Sequence, residues 1–248
     1  MTFSIRTLAV ALVFGLSAFA AQAQGYSPEA QRVLAEARAA TGGSAWNSLR
    51  GWHEVGRKDG RAYEAWFDPL RYGMRVETHE PGGLEVYGFN GAGDWRIFPS
   101  GVTTGRDIRK LITETRSDAF FGVRGYFYPG RFDAKAEYVG ARTWKGRSFE
   151  IVRVKPWAGF ARDLWFDRRT HLLGRMVDHE GPKPFSLEFS DYRRVGPVRV
   201  AFRIEGEGGE VRQIENLDFR PADRALFSLP RPGEGETADS AQPAGKHE

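Results

Sequence analysis

The chain has 248 residues, no cysteine, and 36 Lys and Arg against 32 Asp and Glu, a formal net charge of +4. Without a thiol it can be neither a disulfide scaffold nor anchored through a lipidated cysteine. The basic residues, mostly Arg, are scattered rather than blocked, so a mixed solvated surface accounts for the charge and nucleic acid is not an expected partner.

Residues 1–23, "MTFSIRTLAVALVFGLSAFAAQA", combine an early Arg6, an apolar run from Leu8 to Phe19 and the small-residue site Ala21-Gln22-Ala23. That is the pattern of a secretory signal peptide cut after Ala23, too short for a membrane-spanning helix. The expectation is an exported, soluble, periplasmic protein. Loss of Arg6 leaves 35 basic against 32 acidic residues, a charge near +3. Residues 24–230 are long enough for one domain with a real core. Residues 231–248, "RPGEGETADSAQPAGKHE", lack large apolar side chains and read as a disordered tail.

Helix signals are few. Ser27-Pro28-Glu29 offers an N-cap hydroxyl, a Pro at the first helical position and an acid in the first turn. Val33, Leu34, Ala37 and Ala40 follow at helical spacing, and Gly42-Gly43 stops the run. Ser44 opens a short further turn carrying Trp46 and Leu49. A second helix is predicted over 106–121, with Ile108, Leu111, Ile112, Thr115 and Ala119 on one side, ended by Tyr126-Phe127-Tyr128-Pro129.

The remainder alternates with period two. Phe185, Leu187 and Phe189 share one face, and so do Val198, Val200, Phe202 and Ile204, with Arg199 and Arg203 opposite. Leu217 and Phe219 continue the pattern, and Asn90-Gly91 and Lys145-Gly146 are hairpin turns. Such half-apolar strands predict an antiparallel sheet with one wet face. Trp-Phe-Asp occurs twice, at 66–68 and at 165–167, each time before a turn and a second strand, through Tyr72-Met74-Val76 and through Leu172-Leu173-Gly174-Arg175-Met176. Ala65 and Phe67 share a face in the first copy, as Leu164 and Phe166 do in the second. The unit is one hairpin used twice, and Asp68 and Asp167 sit where a turn-opening Asp bonds the backbone ahead of it.

Each candidate catalytic constellation has a simpler role. Asp68 and Asp167 could form a glycosidase pair, but a turn explains both at less cost. His79-Glu80 and His179-Glu180 could ligate a metal; without HExxH spacing they read as exposed loop ends. Gly91-x-Gly93 opens no helix, and Ser186 and Ser190 lack a G-x-S-x-G elbow. No catalytic residue, metal or cofactor is therefore expected. The 18 Phe, 7 Trp and 8 Tyr serve core packing by default, yet a curved sheet under a helix also encloses a natural ligand space.

Several segments together resemble a known family: "ARAATGGSAWNSL", "YEAWFD", "GAGDWRIFPSG", "VGARTWKGRSFEIVRVKP", "LWFDRRTHLLGRM", "LEFSDYRRVGPVRVAFRI" and "IENLDFRPADRALFSLP". They are similar to the LolA-like periplasmic proteins that sort outer-membrane lipoproteins, over roughly residues 28–230. The resemblance implies an α+β, β-dominated fold: an open antiparallel half-barrel with an N-terminal helix and a helical lid insertion. It also implies an apolar cavity for acyl chains, and hence a non-enzymatic carrier or chaperone for a lipid or acylated lipoprotein. Ala40-Thr41-Gly42-Gly43 resembles modules attached to periplasmic proteases, so a protein-binding accessory module with an envelope partner is the alternative, and a hydrolase the third reading. The cavity is expected to be lined by Phe67, Met74, Val76, Leu164, Phe166, Leu187, Phe189, Val200 and Phe202, with Leu111 and Ile112 from the helix above.

Overall fold

The structure, a computed structural model, describes residues 25–106, 109–180 and 184–229, the side chains of 105–111 excepted. The predicted leader over 1–23 and tail over 231–248 lie outside the described residues, as does the side chain of Leu111.

Helix α1 (Pro28–Thr41) begins as its sequence dictates: the Ser27 hydroxyl accepts from the Ala30 N–H, and the Gly42 N–H closes the end on Ala39. A 3-10 turn, Gly43–Ser48, follows and buries Trp46; Ser44 supplies no cap to it. The chain then lays down β1 (Trp52–Lys58), β2 (Arg61–Asp68), β3 (Gly73–Glu80), β4 (Gly83–Phe89), β5 (Asp94–Ile97) and β6 (Thr103–Arg106) as successive antiparallel neighbours. Helix α2 (Arg109–Gly122) starts later than the sequence pattern suggests, because Thr103–Arg106 pairs with β5 instead.

After α2 the chain resumes at the opposite edge with β7 (Ala134–Trp144), β8 (Arg147–Pro156), β9 (Arg162–Asp167), β10 (Leu173–Asp178), β11 (Phe185–Val195), β12 (Val198–Gly206) and β13 (Val211–Asp218). The two meanders meet where β1 pairs antiparallel with β13. Among the described residues this makes one thirteen-stranded antiparallel sheet, open at β6 and β7. The expected β-dominated half-barrel with an N-terminal helix and a helical insertion is the observed architecture.

Strand alternation decides which face is which. Ala65 and Phe67, Leu164 and Phe166, and Val198, Val200, Phe202 and Ile204 are all buried on the concave side. Helix α1 packs there against β7, β8 and β12, and α2 against β3, β4 and β5. Both Trp-Phe-Asp copies are hairpins. Asp68 Oδ1 accepts from the Leu70 N–H at 2.7 Å, and Asp167 Oδ1 from the Arg169 and Thr170 N–H groups at 3.1 and 2.8 Å. Both side chains are buried, because the turn folds over them. His79 and Glu80 lie within β3 rather than in a loop, and His179, exposed just past β10, meets Asp163 at 2.9 Å.

Candidate ligand cavity

Inside the half-barrel one end is filled and the other is not. The filled end is aromatic. The 3-10 turn Gly125–Phe127 drives Tyr126 and Phe127 inward, where Phe127 meets Trp46 at 5.4 Å and Tyr126 meets Phe166 at 6.4 Å, ring centre to ring centre. Trp52 stacks on Trp46 at 6.0 Å and touches Phe67 at 6.3 Å. Stacked, tilted and edge-to-face contacts of this kind add to the burial of large apolar surfaces, so this plug is a closely packed floor.

Above that floor lies a cavity of about 400 Å³, a volume within the range of small-molecule sites. Phe67 on β2, Met74 and Val76 on β3, Leu187 and Phe189 on β11, Leu173 and Met176 on β10 and Ile204 on β12 form its apolar wall, and Phe121 and Gly122 of α2 its roof. Gly122 is required: a Cβ there would stand 2.7 Å from the Phe67 ring, so only glycine lets the helix come down onto β2. A second, polar groove of about 300 Å³ adjoins it, sharing Lys58, Val76, Tyr87 and Asp118 and adding Thr78, Glu85, Arg96 and Glu114.

The expected lining set is therefore divided. Phe67, Met74, Val76, Leu187 and Phe189 face the cavity. Phe166 and Val200 border a gap of only about 20 Å³ beside the aromatic plug. Leu164 and Phe202 are packed in the core, and Ile112 is half-buried on α2. The reason is local: Tyr126 and Phe127 occupy the space that the matching faces of the two hairpins would otherwise enclose.

Three arginines on the wall carry no signal in the sequence. Arg162 of β9, buried, donates to Asp118 of α2 at 2.6 Å and to Asp178 of β10 at 2.8 Å, and its guanidinium lies 4.9 Å from the Phe121 ring centre. It ties the helix to the sheet. Arg124 takes a left-handed backbone (φ 57°), lies over Trp52 at 5.3 Å and donates to the Phe121 and Gly122 carbonyls. Arg212 of β13 donates to the Tyr63 hydroxyl at 3.3 Å, and Tyr63 in turn donates to buried Glu54 at 2.6 Å. Burial pushes the Tyr63 phenol well above its usual range, which keeps it a neutral donor. Glu54 also accepts from the Trp52 indole at 2.9 Å.

Solved structures with the same architecture exist at low identity. A DUF1329 family protein from Desulfovibrio piger superposes with a TM-score of 0.55 at 13% identity, over 82% of this chain and 98% of its own. A LolA superfamily protein from Nitrosomonas europaea gives 0.52 at 11% identity, over 81% and 97%. The chain has a LolA-like fold. A domain provisionally named as an outer membrane lipoprotein-sorting protein, from Vibrio parahaemolyticus, agrees at a TM-score of 0.51 and 12% identity, over 80% and 96%. No family model and no curated protein matches the sequence.

The LolA-like half-barrel places its cavity where strand alternation turns apolar side chains inward and α2 closes over them. Among the described residues no three His, Cys, Asp or Glu side chains converge as a metal site, and no helix is long and apolar enough to cross a membrane. The chemistry this arrangement offers is the burial of hydrocarbon beside a small number of fixed polar groups.

Proposed function

We propose that the chain is a periplasmic, non-enzymatic carrier or chaperone that shelters the hydrocarbon part of a lipid or acylated lipoprotein in its half-barrel. The observation that carries this reading is the 400 Å³ cavity on the concave face, walled by Phe67, Met74, Val76, Leu173, Met176, Leu187 and Phe189. Each methylene moved from water onto such a wall gains about 0.8 kcal/mol, so an acyl chain is held without polar chemistry. The fold shared with a LolA superfamily protein and with a domain named for lipoprotein sorting supports the reading. A secretory leader over 1–23 and one domain over 24–230 belong to the same proposal. The aromatic plug at Tyr126 and Phe127 favours a second reading, an accessory module that binds an envelope protein and fills its own interior.

A fluorescent acyl probe titrated into wild type and Leu187→Glu separates the two. Leu187 is half-buried on the wall, so a carboxylate there should weaken acyl binding at least tenfold while the thermal transition stays cooperative. Absent binding to wild type, or binding indifferent to Leu187→Glu, would favour the accessory module.

A further inference from the structure

The mouth of the cavity is marked by a pair of cations. Lys58 and Arg212 are direct cross-strand partners at the β1–β13 junction, and both side chains line the cavity. Like charges placed opposite one another on a sheet repel and destabilise the pairing. Neither cation has a carboxylate within 4.0 Å among the described residues. Of the carboxylates on the same wall, Glu54 and Asp118 act on Arg212 through their charge without touching it, and each is held by another partner. Glu54 is bound by Trp52 and Tyr63, Asp118 by Arg162, and Glu210 lies on the exposed β12–β13 turn, its Oε2 2.4 Å from where a Gly206 Cβ would stand.

Among the described residues the Arg212 side chain makes one hydrogen bond, to the Tyr63 hydroxyl, and its guanidinium lies 5.6 Å from the Tyr63 ring centre, which leaves most of its five N–H donors open. Phe185, 44% exposed and beside Gly206, presents an apolar lip to the same cavity, whose hydrocarbon wall includes Met176, Leu187 and Phe189. Repelling cations at the rim of an apolar chamber match the two ends of an amphiphile.

Resting on the carrier reading above, we propose that the cavity selects ligands bearing an anionic group, a carboxylate or a phosphate, seated between Lys58 and Arg212 with the hydrocarbon inward. The guanidinium fork holds two oxygens of such a group side by side, Lys58 supplies a second charge, and the anion removes the repulsion between them. A neutral amphiphile of the same chain length gains only the hydrocarbon burial.

The test uses the full chain and three probes of equal length, dodecanoate, dodecyl phosphate and dodecanol. Each is titrated calorimetrically below its micellar concentration, at mildly alkaline pH where the carboxylate is ionised. Wild type should prefer at least one anion over the alcohol by roughly tenfold or more, as expected for charge-assisted hydrogen bonds. Preference for the phosphate alone identifies a phospholipid-type headgroup, and preference for both a general anion seat. In Arg212→Gln the ratio of anion to alcohol affinity should fall towards one, and Arg212→Lys should restore part of it. If Arg212→Gln does not melt cooperatively, Lys58→Gln, altered at an exposed side chain, carries the same measurement. Equal binding of acid, phosphate and alcohol by wild type overturns the anion seat and leaves the carrier reading standing. A preference that survives both variants overturns the assignment to these residues. Failure of all three probes to bind overturns the carrier reading, and the anion seat with it.

Discussion

Asp68 and Asp167 hold the same place in two hairpins but have different partners. Each caps its turn through Oδ1, a role that Asn fills equally well. Oδ2 distinguishes them. At Asp68 it meets Arg71, half of whose side chain is exposed, an ion pair of a kind that contributes about 0–1 kcal/mol. At Asp167 the Oδ2 accepts from Arg147 Nε at 2.9 Å, while Oδ1 also accepts from the Thr170 hydroxyl at 3.0 Å. Burial pushes the Asp167 carboxyl up, but the Thr170 and Arg147 hydrogen bonds outweigh it and hold it below the usual carboxylate range. Asp68→Asn should therefore cost under about 1 kcal/mol and Asp167→Asn about 1–3 kcal/mol, measured by chemical denaturation. The pH dependence has a definite sign. A depressed folded-state pKa contributes stability that is complete above the unfolded value, near 4, and is lost as pH falls through the folded one. The gap between wild type and Asp167→Asn should be widest near neutrality and close below about pH 4; a gap that grows on acidification would contradict the assignment.

At the scale of elements, hairpins were legible in the sequence and the cavity only in part. Period-two runs such as Val198-Val200-Phe202-Ile204 declare a buried face because each strand pairs with its chain neighbour. Phe166 could not be placed in the same way, since the side chains that cover it, Tyr126 and Phe127, come from a segment that looks like a plain helix end. Arg162, too, looks like any strand arginine until the fold brings Asp118 of α2 and Asp178 to it. Removing it leaves two half-exposed carboxylates without their cation, so Arg162→Gln should cost about 1–3 kcal/mol, less than a fully buried pair. The loss should fall on α2. Hydrogen exchange of amides over 112–122 should quicken more than that of β11 and β12, whereas Asp118→Asn, which leaves Arg162 on Asp178, should do less. Uniform acceleration across the sheet would mean that the arginine supports the core rather than the helix.

At the scale of the molecule, two meanders that are each local in sequence depend on one long-range seam. Strands β1–β6 run to one edge and β7–β13 return from the other, and among the described residues only β1 against β13 joins the two sets of strands edge to edge. No periodicity announces such a pairing, because its partners are some 160 residues apart, His53 opposite Asp218 for example. The seam has an irregular point between Val55 and Gly56, where the register shifts. A Cβ at Gly56 would stand 2.1 Å from the Gln213 carbonyl oxygen, a backbone atom that cannot swing aside. The seam also positions Lys58 and Arg212 at the cavity mouth, so its geometry is shared by stability and by the proposed headgroup seat. Gly56→Ala should accordingly cost about 2–4 kcal/mol, at the upper end for single substitutions, while Gly93→Ala, whose Cβ would meet nothing within 4 Å, should stay within about 0.5 kcal/mol. Paired urea melts of the two variants measure this directly. In Gly56→Ala, amides of β1 and β13 should lose protection before those of the β7–β8 hairpin, which pairs without the seam. Equal stability of the two glycine variants would mean that the sheet closes without the close approach at Gly56.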